Sequence, residues 1–216
     1  MVKFIRCSLL FFTVGVLYEC PGRSQTAPAV AQVVCALGST ASPYNPYLDQ
    51  RPTADAMELA GKVNAALVSM CRPNCPGLAL FRNSTAPNVM LVTDGPRTKI
   101  LYKPEFFTSV YDSYGDGGIQ AILAHEVGHA IDTATPPSWI KNGWTPELRA
   151  DALAGCALAK MNLSVTALKA ALTTLSKYPS AEHPSWRMRV PVLREGYMQC
   201  GGALSLWERA ARQPAG

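Results

Sequence analysis

The sequence predicts an α+β fold, mostly helical, with a small antiparallel sheet beside one buried helix. Three observations carry that expectation. Residues 119–132, IQAILAHEVGHAID, form an Ala/Ile/Leu/Val-rich run that reads as one buried helix. Residues 78–81, 89–93 and 99–102 read as short strands, with Asp94-Gly95-Pro96-Arg97 as turn chemistry between the last two. The remaining stretches with sustained periodicity are helical, each opened by a capping residue or closed by Pro or Gly.

Taken in order, Lys3 and Arg6 precede an apolar run over residues 8–18. A basic start and a short apolar core predict a secretory signal, too short for a span of about 20 residues. Ala29-Val30-Ala31 fits the small-x-small cleavage rule, so residues 1–31 are the expected signal and 32–216 one domain. A retained anchor is the alternative. Glu19 before Cys20 argues against a lipoprotein. Cleavage removes Lys3, Arg6, Arg23 and Glu19 and lowers the formal charge from +5 to +3. That balance, without a Lys/Arg cluster, speaks against nucleic acid as a partner. No stable membrane insertion of the mature chain is expected.

Cys35, Cys71, Cys75, Cys156 and Cys200 remain after cleavage, and an oxidising compartment makes them disulfide candidates. Cys71 with Cys75 would close a small loop, and Cys156 with Cys200 would tie two helices. Residues 32–51, rich in Pro, Ser, Tyr and Asn, read as an irregular arm. A packing helix follows from Pro52-Thr53 to about Met70, with Met57, Leu59, Ala60, Val63, Ala66, Leu67 and Met70 near helical spacing. Phe106, Phe107, Val110 and Tyr111 fit a short amphipathic helix before the Gly-rich residues 114–118. Residues 164–177 and 187–197 complete the helices, the latter kinked or interrupted at Pro191.

The chemistry sits in the buried helix. His125, Glu126 and His129 form H-E-x-x-H, whose i, i+4 spacing puts both imidazoles on one face, able to share one metal ion, with Glu126 beside the open position. A catalytic zinc keeps three protein ligands and one open position. Thr145-Pro146-Glu147 reads as the start of a new helix, and E147-L-R-A-D151 sets two carboxylates one turn apart. Glu147 is the expected third ligand, with Asp132 as runner-up, and Asp151 is expected to accept a hydrogen bond from a liganding imidazole. The metzincin continuation needs Gly at 132 and His at 135, where the chain has Asp132 and Thr135, so that class is excluded. Ala150, Ala152, Ala154 and Gly155 suggest a helix slim enough to approach the first.

HEVGH followed by ELRAD resembles the gluzincin metallopeptidases, and His183-Pro184-Ser185-Trp186-Arg187-Met188-Arg189 is similar to the H-P-x-x-x-x-R motif of the HtpX-type and CAAX-prenyl-protease-type members. The likeness covers roughly residues 88–189. It implies a zincin-like fold, one Zn2+ per chain, and His183 and Arg189 at the far wall of the site as further catalytic residues, His183 stabilising an oxyanion. The expected activity is hydrolysis of an extended peptide or unfolded protein by an exported zinc endopeptidase. Zinc would lower the pKa of its water toward about 7, with Glu126 as general base. Two alternatives remain: a zinc-containing chaperone or assembly factor that rarely cuts, and a hydrolase of a non-peptide amide such as one in the cell wall.

Overall fold

A computed structural model describes residues 32–37, 44–94, 97–178 and 183–212. The expected signal and its cleavage site lie outside those residues. The fold is α+β and mostly helical, as the periodicities predict. Four strands, β1 (Gln32–Leu37), β2 (Leu78–Arg82), β3 (Val89–Asp94) and β4 (Arg97–Tyr102), form one sheet in the order β1-β3-β4-β2.

Two expectations about the sheet are corrected. The sheet is mixed, because β2 pairs with β4 in parallel while β1 and β4 flank β3 antiparallel. Arg82 at the end of β2 and Val89 at the start of β3 are both register partners of Tyr102, so the segment between them stays at one end of the sheet and β4 is inserted between the two strands, parallel to β2. The expected irregular arm also begins with a strand: Gln32–Leu37 pairs with β3 around a register shift between Val33 and Cys35. That shift breaks the strict alternation by which a strand is recognised. Further along, a short 3-10 helix spans Pro46–Leu48, and Gln50 forms an antiparallel bridge with Arg82.

Helix α1 (Ala54–Cys71) is capped by the Thr53 side chain, which accepts from the Ala56 amide, and it buries Leu59, Val63 and Leu67. Helix α2 (Pro104–Ala134) joins the short amphipathic segment to the H-E-x-x-H run across one break, Gly115, whose φ of 60° is open to glycine at little cost. The second half of α2 is buried almost all round, from Gly117 to Ile131. Helix α3 (Pro146–Lys160) has Thr145 as N-cap, and α4 (Val165–Lys177) has Ser164. Helix α5 (Trp186–Gln199) continues through Pro191 instead of being interrupted there, and α6 (Leu204–Ala211) closes the described chain.

Small residues decide how closely these helices cross. The Gly128 backbone in α2 lies against Ala150 of α3, and Gly155 of α3 and Gly196 of α5 each face the other helix's backbone. The small face of α3 is thus divided between two partners, Ala150 toward α2 and Ala152 with Gly155 toward α5. A Cβ at Gly196 would run into the Ala152 carbonyl. Gly196→Ala is therefore expected to cost about 3 kcal/mol and to lower the thermal midpoint by roughly 6–12 °C in a calorimetric scan.

Two cysteine pairs lie at disulfide distance: Cys71 with Cys75, Cα atoms 4.7 Å apart, and Cys156 with Cys200, 5.0 Å apart. The second ties α3 to the end of α5. Both are compatible with an extracellular protein. Among the described residues no helix is long and apolar enough to cross a membrane.

Candidate metal centre

Three helices and one connecting segment converge on the second half of α2. His125 and His129 emerge one turn apart, and their Nε2 atoms lie 3.2 Å from each other. Glu147, in the first turn of α3, reaches both: Oε2 is 3.2 Å from His125 Nε2 and Oε1 is 3.4 Å from His129 Nε2. His183, just before α5, brings its Nε2 to 2.5 Å from Glu147 Oε2. His125, Glu147 and His183 each offer a ligand atom within 4.8 Å of the others, a buried group that could hold a metal ion.

The spacing is compatible with a bound metal ion. Metal–nitrogen bonds of about 2.0–2.1 Å in a tetrahedron place neighbouring ligand atoms about 3.3 Å apart, close to the 3.2 Å that separates His125 Nε2 from both His129 Nε2 and Glu147 Oε2. The donors, imidazole nitrogen and carboxylate oxygen, are those zinc accepts.

A supporting network lies behind the ligands. Asp151 Oδ1 lies 3.0 Å from His125 Nδ1, the ring nitrogen turned away from the cluster. Arg189 then grips Asp151, with Nε 2.8 Å from Oδ2 and Nη2 2.8 Å from Oδ1, and donates from Nη1 to the Leu175 carbonyl at 3.0 Å. Asp151 is 0 % exposed and Arg189 1 %, so this pair is desolvated throughout. Arg189 touches the acid that orients His125, and Asp151 stands between its guanidinium and the imidazole.

Charge in this pocket is strongly biased. Burial alone would push His125 down, but the hydrogen bonds it donates to Asp151 and Glu147 outweigh it and lift the imidazole to about 9. Burial pulls His129 down, reinforced by the neighbouring imidazoles and opposed by Glu147. Burial works to raise Glu147, yet hydrogen bonds from all three histidines hold its carboxyl well below the usual range. Asp151 is likewise held down against burial by Arg189 and His125. The carboxylates thus draw a cation to this point, a proton on His125 when no metal is bound. Metal binding must displace that proton.

Glu126, 0 % exposed, follows His125 on the same helix. Asp132, the runner-up ligand, is taken up elsewhere: both of its oxygens accept from Arg149 Nε at 2.8 Å. Trp139 and Trp144 pack against the core. Arg189 as Asp151's partner is the contact that sequence spacing did not supply. The available signal was a buried-type acid and an arginine with no local partner, on segments far apart in sequence.

Against known proteins, the chain matches no family model, no curated protein and no solved structure.

Chelator treatment should show what a bound ion contributes. Protein loaded with zinc and then dialysed against a chelator is expected to lose one equivalent of metal and to unfold at lower temperature, since ligand binding stabilises the folded state by mass action. Calorimetry before and after metal removal, with elemental analysis of both samples, checks this.

Proposed function

We propose that the chain is an exported zinc-dependent metallopeptidase that cuts extended peptides or unfolded proteins. The observation that carries this reading is the convergence of Glu147 on His125 and His129, the two imidazoles of the helix that also bears Glu126. The resemblance to gluzincins, read from HEVGH and ELRAD, points the same way. A zinc ion held there would polarise the substrate carbonyl and acidify the attacking water. Glu126 takes the proton from that water as its oxygen bonds to the carbonyl carbon. Glu126 then delivers the proton to the amine as the C–N bond breaks. Asp151 and Arg189 keep the His125 ring turned so that its Nε2 faces the cluster.

The sheet supports a peptide substrate. Arg82 bonds outward to Gln50 through both its amide and its carbonyl, at 3.1 and 3.0 Å. By the period of two along a strand, Leu80 and Leu78 also turn their amide and carbonyl outward. Among the described residues they take no backbone partner there. That edge opens on an apolar groove of about 570 Å³ floored by Ile100, Leu123 and Val127. Such an edge can pair with an added strand and seat its alternate side chains.

The position of His183 favours a second reading. With His183 as a fourth donor the set is closed, the mark of a structural metal site. With His183 acting on the substrate, the set has three ligands and an open position. Cleavage of a mixed peptide library by zinc-loaded protein, His183→Ala beside the wild type, separates the two. Metal-dependent products from the wild type support the peptidase. A wild type that makes no products, with His183→Ala losing zinc, supports the structural site.

A further inference from the structure

A second cavity, of about 490 Å³, opens where β2 and β4 meet the start of α1 and the first half of α2. Its size is that of a small-molecule site. None of His125, His129, Glu147 and His183 lines it.

Its polar wall is made by Arg82 and Tyr102. They are register partners across β2 and β4, so their side chains rise next to each other on one face of the sheet. Arg82 Nε is buried and has no hydrogen-bond partner. Tyr102 is 2 % exposed. Its hydroxyl oxygen accepts from the Thr53 amide at 3.2 Å, which spends a lone pair and leaves the O–H proton with no acceptor among the described residues. The buried Arg82 Nε and the Tyr102 hydroxyl are unspent donors whose penalty an acceptor would remove. A carboxylate, with two oxygens and a charge opposite to the guanidinium, answers both.

The rest of the cavity restricts what carries that carboxylate. Leu59, Phe107 and Ile119 are buried along it, and the Phe107 ring stacks on Tyr102 with centroids 4.1 Å apart. Asp55 and Asp116 stand exposed in the lining, while Glu58 is engaged by Lys62 at 2.7 Å. Two carboxylates near the opening repel a plain anion and attract an ammonium group.

We propose that this cavity binds a small zwitterion with an apolar side chain, an α-amino acid in chemical class. Its carboxylate lies on Arg82 and Tyr102, its ammonium faces Asp55 and Asp116, and its side chain lies against Leu59, Phe107 and Ile119. This site is separate from the metal centre and does not rest on the peptidase reading.

The test is calorimetric titration of the full chain with L-phenylalanine, with phenylpropionate, which lacks the ammonium, and with phenethylamine, which lacks the carboxylate. L-phenylalanine is expected to bind about tenfold or more tightly than either analogue. Arg82→Met should weaken it by about tenfold or more, and Tyr102→Phe by a smaller factor. Asp116→Asn, at an exposed position that does not threaten folding, should weaken L-phenylalanine while strengthening phenylpropionate. Circular dichroism of each variant identifies any that fails to fold. The proposal is overturned if the folded wild type shows no saturable binding of L-phenylalanine up to ~10 mM. Equal affinity for L-phenylalanine and phenylpropionate overturns it too, as does unchanged binding in folded Tyr102→Phe and Asp116→Asn.

Discussion

On the proposed peptidase reading, Glu126→Gln is expected to abolish most peptide hydrolysis while leaving the metal in place. A positioned general base contributes about 10²–10⁴-fold to rate, and an amide of the same shape cannot take the proton. Glu126 is not among the converging donors, so metal content should be unchanged. The test sets kcat/KM for a cleaved peptide beside zinc content by elemental analysis. A fall in rate with full occupancy assigns the base. Loss of zinc together with activity would instead place Glu126 among the ligands, and an unchanged rate would remove it from the reaction.

Arg189→Met is expected to give the largest loss of stability of the substitutions considered, although no substrate need touch the side chain. Among the described residues Arg189 is the one guanidinium on the Asp151 carboxylate, which is 0 % exposed and is also bonded to His125. Removing one partner of a desolvated ion pair costs about 3–5 kcal/mol because the remaining charge is left buried. His125 then loses its fixed orientation, and metal affinity should fall about 10–100-fold, the usual penalty for disturbing a group behind a ligand. Arg189→Lys should recover only part of either loss, since an ammonium cannot match the two parallel bonds to Asp151. Denaturant unfolding and competitive metal titration measure the two effects. Destabilisation with unaltered metal affinity would confine Arg189 to packing.

The sequence made local relationships readable and left distant ones unread. The i, i+4 spacing of His125 and His129, and the turn-start pattern Thr145-Pro146-Glu147, are properties of single helices, so their faces could be stated before any fold was known. The N-caps Thr53, Thr145 and Ser164 were legible for the same reason. The parallel pairing of β2 with β4 was not. Strand pairing depends on where a connection returns the chain, and the residues of β2 carry no mark of their neighbour's direction. Nor was the strand Gln32–Leu37, where a register shift hides the alternation. The break at Gly115 was legible, since the Gly-rich stretch read as a boundary between two helices and the backbone is non-helical there. Arg189's grip on Asp151 joins α5 to α3, and an arginine has no local pattern that names its partner.

The donors of the metal centre come from places that meet only when the chain is finished. His125 and His129 face the same way in any state where their turn of α2 is helical, so a partly made or clipped molecule would still offer two imidazoles. Glu147 arrives only once α3 has docked against Gly128, and His183 only once the chain has passed through α4 and begun α5. Tight capture of an ion at this point is thus a report of completed assembly. A chain truncated before Glu147 or His183 should therefore hold an ion weakly however much helix it retains.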